Sequence, residues 1–346
     1  AKVSFIREEV KDINFNLKQV ILKNRPSINF SNLVLNYGGQ TKIPKEFEDL
    51  VKTKIAFPIK PFFKAYELIQ KEDYYDSVIE RPFLIVGSGL AAIEITFALR
   101  KRWQNRPLKL FCHKQKINNK ILRRIENLNI GLVDRLDYEY GKIILCTGNT
   151  SPLWIQKQQL DLDSNGRILT NQDLRMKNYE GIFAIGDCAV VDSAKRPASG
   201  IFAVKVVNTL VNNLKKDITG KSLKKWFPQK YGLQIVNASS RNKSMAFAVY
   251  RNLVIGPSSL LLYIKNKLDS DFIKKFRLKK TIMLKKEKDN SLNYCRGCAA
   301  KISQSVLNNS LVNANLEKFA NYPEDSVAIY KNKTDLILQS VDGFPA

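Results

Sequence analysis

Two stretches of this 346-residue chain hold residue types whose spacing could do chemistry. The first is Gly87-Ser88-Gly89-Leu90-Ala91-Ala92, a G-x-G-x-x-G/A run between an apolar stretch and a helix-like one. At such a turn the first glycine permits a tight reversal. The second lets a pyrophosphate approach backbone that carries no Cβ, and the small third residue lets the helix pack close to the strand. Free N–H groups at the helix start then favour an anion. The run suits a dinucleotide, with a structural turn as the alternative. The second stretch is Cys295-Arg296-Gly297-Cys298, with Lys301 just beyond it. It could be a metal knuckle, a redox pair or the mouth of a second active site. Zinc needs four ligands, and neither His113, the only histidine, nor the other three cysteines forms a partner pair. A thioredoxin-like pair needs a strand before it and a helix start after it, whereas the preceding segment is a charged stretch. The third option is the one these residues favour.

The elements that must position these residues can be read from periodicity. Residues 83–86 are an unbroken apolar strand, and Leu90, Ile93, Phe97 and Ala98 follow at helical spacing. Further strands are expected at 108–112, at 142–148, and in "GIFAIGDCAVV", which ends its strand at Gly186-Asp187. Short β-like runs at 3–6, 19–22 and 32–35 precede a helix at 61–71. Gly38-Gly39 could form a further turn. "IFAVKVVNTLVNNLKK" reads as one long amphipathic helix and "SSLLLYIKNKLDSDFIKKF" as another. Strands alternating with helices argue for an α/β fold with a parallel sheet. The acid that usually ends the second strand of an NAD site is replaced by His113 and Lys114. A basic residue there suits a 2′-phosphate and points to NADPH; a solvated strand end is the alternative.

Composition sets wider bounds. Lys plus Arg is 57 against 32 for Asp plus Glu, a net charge of +25. That field suits anionic ligands or surfaces, although scattered basic residues also arise by compositional drift. No nucleic-acid motif or aromatic-interleaved basic groove accompanies it, so no nucleic-acid partner is expected. Cys112, Cys146, Cys188, Cys295 and Cys298 are too few and too uneven for a disulfide framework; they suit a reducing, cytoplasmic setting. No run approaches 18 apolar residues, so no membrane span is expected. The chain opens without Met and stops after a strand-like run, and it is read as a fragment of a longer parent.

Taken with "IILCTG", "NTSPLW", "GIFAIGDCAVV" and "RPASGIFAVKVVNTLVNNL", the Gly87 turn resembles the two-dinucleotide flavoproteins of the pyridine nucleotide-disulfide oxidoreductase family. The single-subunit NADH dehydrogenase branch is the most similar, over residues 1 to about 276. The resemblance implies a Rossmann-like fold in which an NAD(P)-binding domain (58–147) is inserted in an FAD-binding domain (1–57 and 148–210), followed by a carboxy-terminal module (211–276). It assigns Gly87, Gly89 and Ala92 to the NAD(P)H turn and Glu94 to the neighbourhood of the nicotinamide. Gly186 and Asp187 would hold the flavin ribityl chain, and a carboxylate can accept hydrogen bonds from its hydroxyls. Thr147 and Gly148 match the turn back into the FAD domain. Ser199 and Gly200 open a helix whose N-terminus suits the negative pole of a reduced flavin. The family's first glycine-rich turn, for the FAD pyrophosphate, has no match here. Nor is there a C-x-x-x-x-C pair, so disulfide reduction is not expected. The branch often docks on membranes through an amphipathic carboxy-terminal helix. Leu260, Leu261, Ile264, Leu268, Phe272 and Phe276 could make that stripe, or could simply face a core.

Beyond a basic linker at 277–291, residues 292–346 resemble the start of selenide, water dikinase. That resemblance makes Cys298 and Lys301 catalytic and gives Asp325 and Asp342 to Mg2+ and ATP. A thiolate suits selenide, and a nearby lysine lowers a thiol pKa and can contact phosphate. Hard carboxylate oxygens suit Mg2+. Ala299-Ala300 and Glu324-Asp325 depart from the G-C-G-C-K and Asp-Asp patterns. The expected whole is an FAD-dependent NAD(P)H oxidoreductase fused to an ATP-dependent selenophosphate-forming kinase. Its expected partners are nicotinamide nucleotide, ATP and selenide, with peripheral membrane contact and a homodimer also expected. A membrane-surface NADH:quinone dehydrogenase and a degenerate nucleotide-binding scaffold are the alternatives.

Overall fold

The computed structural model describes residues 4–75, 81–136 and 140–276, and the strands Val327–Tyr330 and Leu336–Gln339. The chain divides into two compact units, Ala1–Lys274 and Lys275–Ala346.

The centre of the first unit is a five-stranded parallel sheet. Its strands lie in the order Ala56–Pro58, Ile143–Leu145, Phe83–Val86, Leu108–Phe111, Ile130–Val133. The edge strand Ala56–Pro58 starts just before the expected boundary at 58 and pairs with Ile143–Leu145. Phe83, Leu84, Ile85 and Val86 are all buried. Alternate side chains leave opposite faces of a strand, and the sheet is covered on both. Phe83 and Ile85 join a core with Ile93, Phe97, Trp103, Ile121 and Ile125 from the helices Leu90–Arg102 and Asn119–Glu126. Leu84 and Val86 join the opposite core with Phe47, Tyr140 and Ile143. This two-sided burial is why the strand reads as a continuous apolar run.

Around the inserted sheet lie shorter pieces. Leu33–Leu35 runs parallel to Ile182–Ala184, and Ile168–Thr170 runs parallel to Ala189–Val191. The chain crosses into the inserted part after Gln40–Thr41 and returns at Asn149–Thr150, and these two segments pair antiparallel. The expected long helix is two helices, Gly200–Lys205 and Val207–Ile218, meeting at Val206. A meander of Gln234–Asn237, Ala246–Tyr250 and Leu253–Ser258 follows. Its Val236, Phe247 and Val254 enter the same core as Phe97. The helix Ser259–Lys274 packs on this meander through Leu262, its one buried residue. Of the expected apolar stripe, Leu260, Ile264 and Leu268 are exposed, whereas Leu261 is half-buried against the meander. Among the described residues no helix is long and apolar enough to cross a membrane. In the second unit, Val327–Tyr330 and Leu336–Gln339 form an antiparallel pair.

Candidate functional site

Gly87 leaves the central strand with φ +146°, a conformation that favours glycine, and a Cβ there would lie 2.5 Å from the Cys146 carbonyl oxygen. Its N–H donates to the Phe111 carbonyl on the neighbouring strand (2.9 Å). Gly89 is the N-cap of Leu90–Arg102, and a Cβ placed on it would meet nothing within 4 Å. The space outside the helix start is therefore open to a ligand group. Ala92 is fully buried, and its Cβ lies 3.1 Å from where a Gly87 Cβ would be. The three positions thus have the steric character a dinucleotide turn requires. Glu94, half-buried one turn further on, accepts from the Asn237 N–H (3.0 Å) through Oε1, which also lies 3.5 Å from Lys265 Nζ. It thereby ties the nucleotide helix to the meander and to the last helix.

The second turn follows Ile182–Ala184. Gly186 has φ +75°, and a Cβ on it would collide with Asn36 Oδ1 at 2.3 Å. Asp187 comes next, partly exposed, and its Oδ2 lies 2.8 Å from Lys60 Nζ. Lys60 Nζ also donates to Asn149 Oδ1 (3.0 Å), and Asn149 Nδ2 donates back to the Asp187 carbonyl (3.3 Å). The Lys60 N–H donates to Thr41 Oγ1 (3.0 Å). Neither Lys60 nor Asn149 was legible as a site residue, since a lone Lys or Asn carries no local motif. Thr147 Oγ1 donates to the Lys42 carbonyl, and the Lys42 N–H donates to the Gly148 carbonyl (3.1 Å). These two residues hold the crossing strands together.

Lys60 ties the Asp187 turn to the edge of the nucleotide sheet. It follows Ala56–Pro58, whose neighbour Ile143–Leu145 pairs on its other side with Phe83–Val86. The end of Ala56–Pro58 and the Gly87 turn thus lie two strand spacings apart, about 10 Å, both at the carboxyl end of one parallel sheet. Ligands of open α/β sheets bind at that end. Ser199 is extended and precedes Gly200–Lys205 without a side-chain cap bond. Gly186, Val190, Arg196, Ser199, Phe202 and Trp226 line part of a small pocket beside this turn. A carboxylate set beside an ammonium and an amide suits a polyhydroxyl chain, and the adjoining cavity is largely apolar. These residues fit the ribityl and flavin portion of FAD. A second strand, glycine turn and helix for its pyrophosphate is not among the described residues.

The thiols of the first unit are unsuited to redox exchange. Burial pushes Cys146 up to about 12 and also raises Cys112. Cys188 is pushed by burial to about 11, against N–H groups of Tyr37 and Gly38 that favour its thiolate. Among the described residues, Cys112, Cys146 and Cys188 are free, and no group of three or more His, Cys, Asp or Glu is placed to hold a metal. Cys298, Lys301, Asp325 and Asp342 lie outside the described residues, as does the linker at 277–291.

Residues 113–206 match the family described as Pyridine nucleotide-disulphide oxidoreductase. Ferroptosis suppressor protein 1 of Taeniopygia guttata is 24% identical over 263 residues, 65% of this chain and 66% of its own length. The chain thus spans just under two thirds of that relative. Sulfide:quinone oxidoreductase from Aquifex aeolicus superposes with a TM-score of 0.60 at 15% identity, over 79% of this chain and 75% of that one. Water-forming NADH oxidase from Lactobacillus brevis superposes with a TM-score of 0.52 at 18% identity, over 70% and 58%. The fold is the α/β, parallel-sheet fold of FAD/NAD(P)-binding oxidoreductases.

Proposed function

We propose that the first unit is the nicotinamide- and flavin-binding part of an NAD(P)H-dependent flavoprotein oxidoreductase. The observation that carries this reading is the Lys60–Asp187 contact, which brings the Gly186 turn to the same sheet end as the Gly87 turn. The backbone at Gly89 and the start of Leu90–Arg102 receive the nucleotide phosphates. Asp187, oriented by Lys60, accepts from the ribityl hydroxyls of FAD, and Ser199-Gly200 faces its pyrimidine side. FAD, when bound, supplies the acceptor for the hydride of NAD(P)H. The protein aligns the two. The family match and the named relatives support this assignment. Its test is anaerobic addition of NADH or NADPH to the FAD-loaded protein. Loss of the visible flavin absorbance is the expected result, and a spectrum that stays unchanged with both nucleotides would refute the assignment.

A membrane-surface NADH:quinone dehydrogenase is the finer reading favoured by the exposed Leu260, Ile264 and Leu268 on Ser259–Lys274. Flotation with anionic vesicles, weakened by salt, checks it. The selenide, water dikinase activity rests on the Cys298, Lys301 and Asp325 pattern. Selenide-dependent ATP consumption by the protein, lost in Cys298→Ser, checks that proposal. So does selenium-dependent NADH oxidation, which would couple the two activities.

A further inference from the structure

Resting on the reading of Gly87–Ala92 as a nicotinamide-nucleotide turn, we propose that this chain selects NADPH over NADH, with Lys114 and Lys116 as the specificity-determining residues. The strand Leu108–Phe111 lies beside Phe83–Val86 in parallel register, Phe111 opposite Val86. The segment leaving it is fastened to the glycine turn twice. Gly87 N–H donates to the Phe111 carbonyl (2.9 Å), and His113 N–H donates to Ser88 Oγ (2.8 Å). In a βαβ nucleotide unit the adenosine ribose lies over the end of this second strand. The charge placed there decides between a 2′-hydroxyl and a 2′-phosphate. A carboxylate accepts from the hydroxyl and repels the phosphate; a cation does the reverse.

Here the first residue past the strand is Cys112, buried and kept in its neutral form by that burial, with Lys114 near enough to act on it electrostatically. His113, Lys114, Gln115 and Lys116 follow, all exposed, with Lys114–Lys116 forming a tight turn. No carboxylate occurs from 112 to 118. Just beyond the adjoining strand Ile130–Val133 come one acid and one base, Asp134 and Arg135, both exposed. The two ammonium groups at 114 and 116 therefore set the sign of the field where a 2′-phosphate would lie.

The test titrates the full chain with NADPH and with NADH at low ionic strength, following nicotinamide fluorescence. One or two charge-assisted hydrogen bonds correspond to NADPH binding roughly 10- to 100-fold tighter, a margin that shrinks with added salt. Lys114→Gln combined with Lys116→Gln, both at exposed positions, is expected to abolish the margin, and Cys112→Asp to reverse it. Equal binding of the two nucleotides, or tighter NADH binding, overturns the selectivity while leaving the nucleotide site standing. Failure of both to bind overturns the site reading as well.

Discussion

The ammonium of Lys60 lies 2.8 Å from a carboxylate oxygen of Asp187, across 127 residues of sequence. One partner follows the edge strand of the five-stranded sheet and the other follows Ile182–Ala184, so the pair fastens these two parts of the first unit together. Lys60→Met should cost about 1 kcal/mol, as expected for a partly exposed pair, and should weaken FAD binding followed by quenching of flavin fluorescence. Lys60→Arg should restore most of both. FAD affinity unchanged in Lys60→Met would remove the lysine from the site.

The two glycines of the nucleotide turn should fail differently. Gly87→Ala meets the Cys146 carbonyl in a backbone conformation that suits glycine, and it should lower stability by about 1–3 kcal/mol. Gly89→Val points into open space. Its melting temperature should match that of the native chain while nucleotide binding is lost. Nucleotide binding retained in Gly89→Val would mean that phosphates do not approach there.

The five-stranded sheet is flanked by a buried ion pair. Arg106 is fully buried, 2.6 Å from Glu72, and its guanidinium lies 5.0 Å from the Phe83 ring centre and 4.9 Å from that of Trp103. Arg106→Met leaves Glu72 buried without its cation, so urea unfolding should show a loss of about 3–5 kcal/mol.

Acid should weaken the first unit partly through Asp163. Burial alone would raise its pKa, but the N–H groups of Arg167 and Asn165 and the Arg167 guanidinium (2.7 Å) hold it below the ordinary carboxylate value. A depressed native pKa gives stability that is complete above the unfolded value of about 4, and that stability is lost as pH falls through the lower native one. Asp163→Asn should be less stable at neutral pH and show a flatter decline below pH about 4. Parallel melting curves for the two proteins across that window would rule this out.

Thiol labelling should divide the cysteines. Burial raises the thiols of Cys112, Cys146 and Cys188 above the ordinary value, and Cys112 and Cys188 are buried, so iodoacetamide at pH about 8 should reach them slowly. Mapping of the labelled peptides after native labelling checks this. Rapid modification of Cys146 would contradict the environment described for it.

What the sequence determined by itself was local. Glycine sterics at 87 to 92, a four-residue apolar strand and a helix at 3.6 spacing are all encoded within about 20 residues, and they were enough to name the fold and place one turn. The turn at Gly186-Asp187 was marked only by the resemblance of "GIFAIGDCAVV" to the flavoproteins, since an aspartate after a glycine is by itself an ordinary turn residue. Tertiary structure alone decided who meets whom. With 57 basic residues against 32 acidic ones, charge type leaves Asp187 and Glu94 many candidate partners. Only strand register and packing select Lys60 for the first, and Asn237 with Lys265 for the second. The stripe on Ser259–Lys274 makes the same point in reverse. Its spacing is that of any amphipathic helix, and whether such a face is covered depends on the elements packed beside it, which in this unit bury Leu262 and leave Leu260 and Leu268 outside.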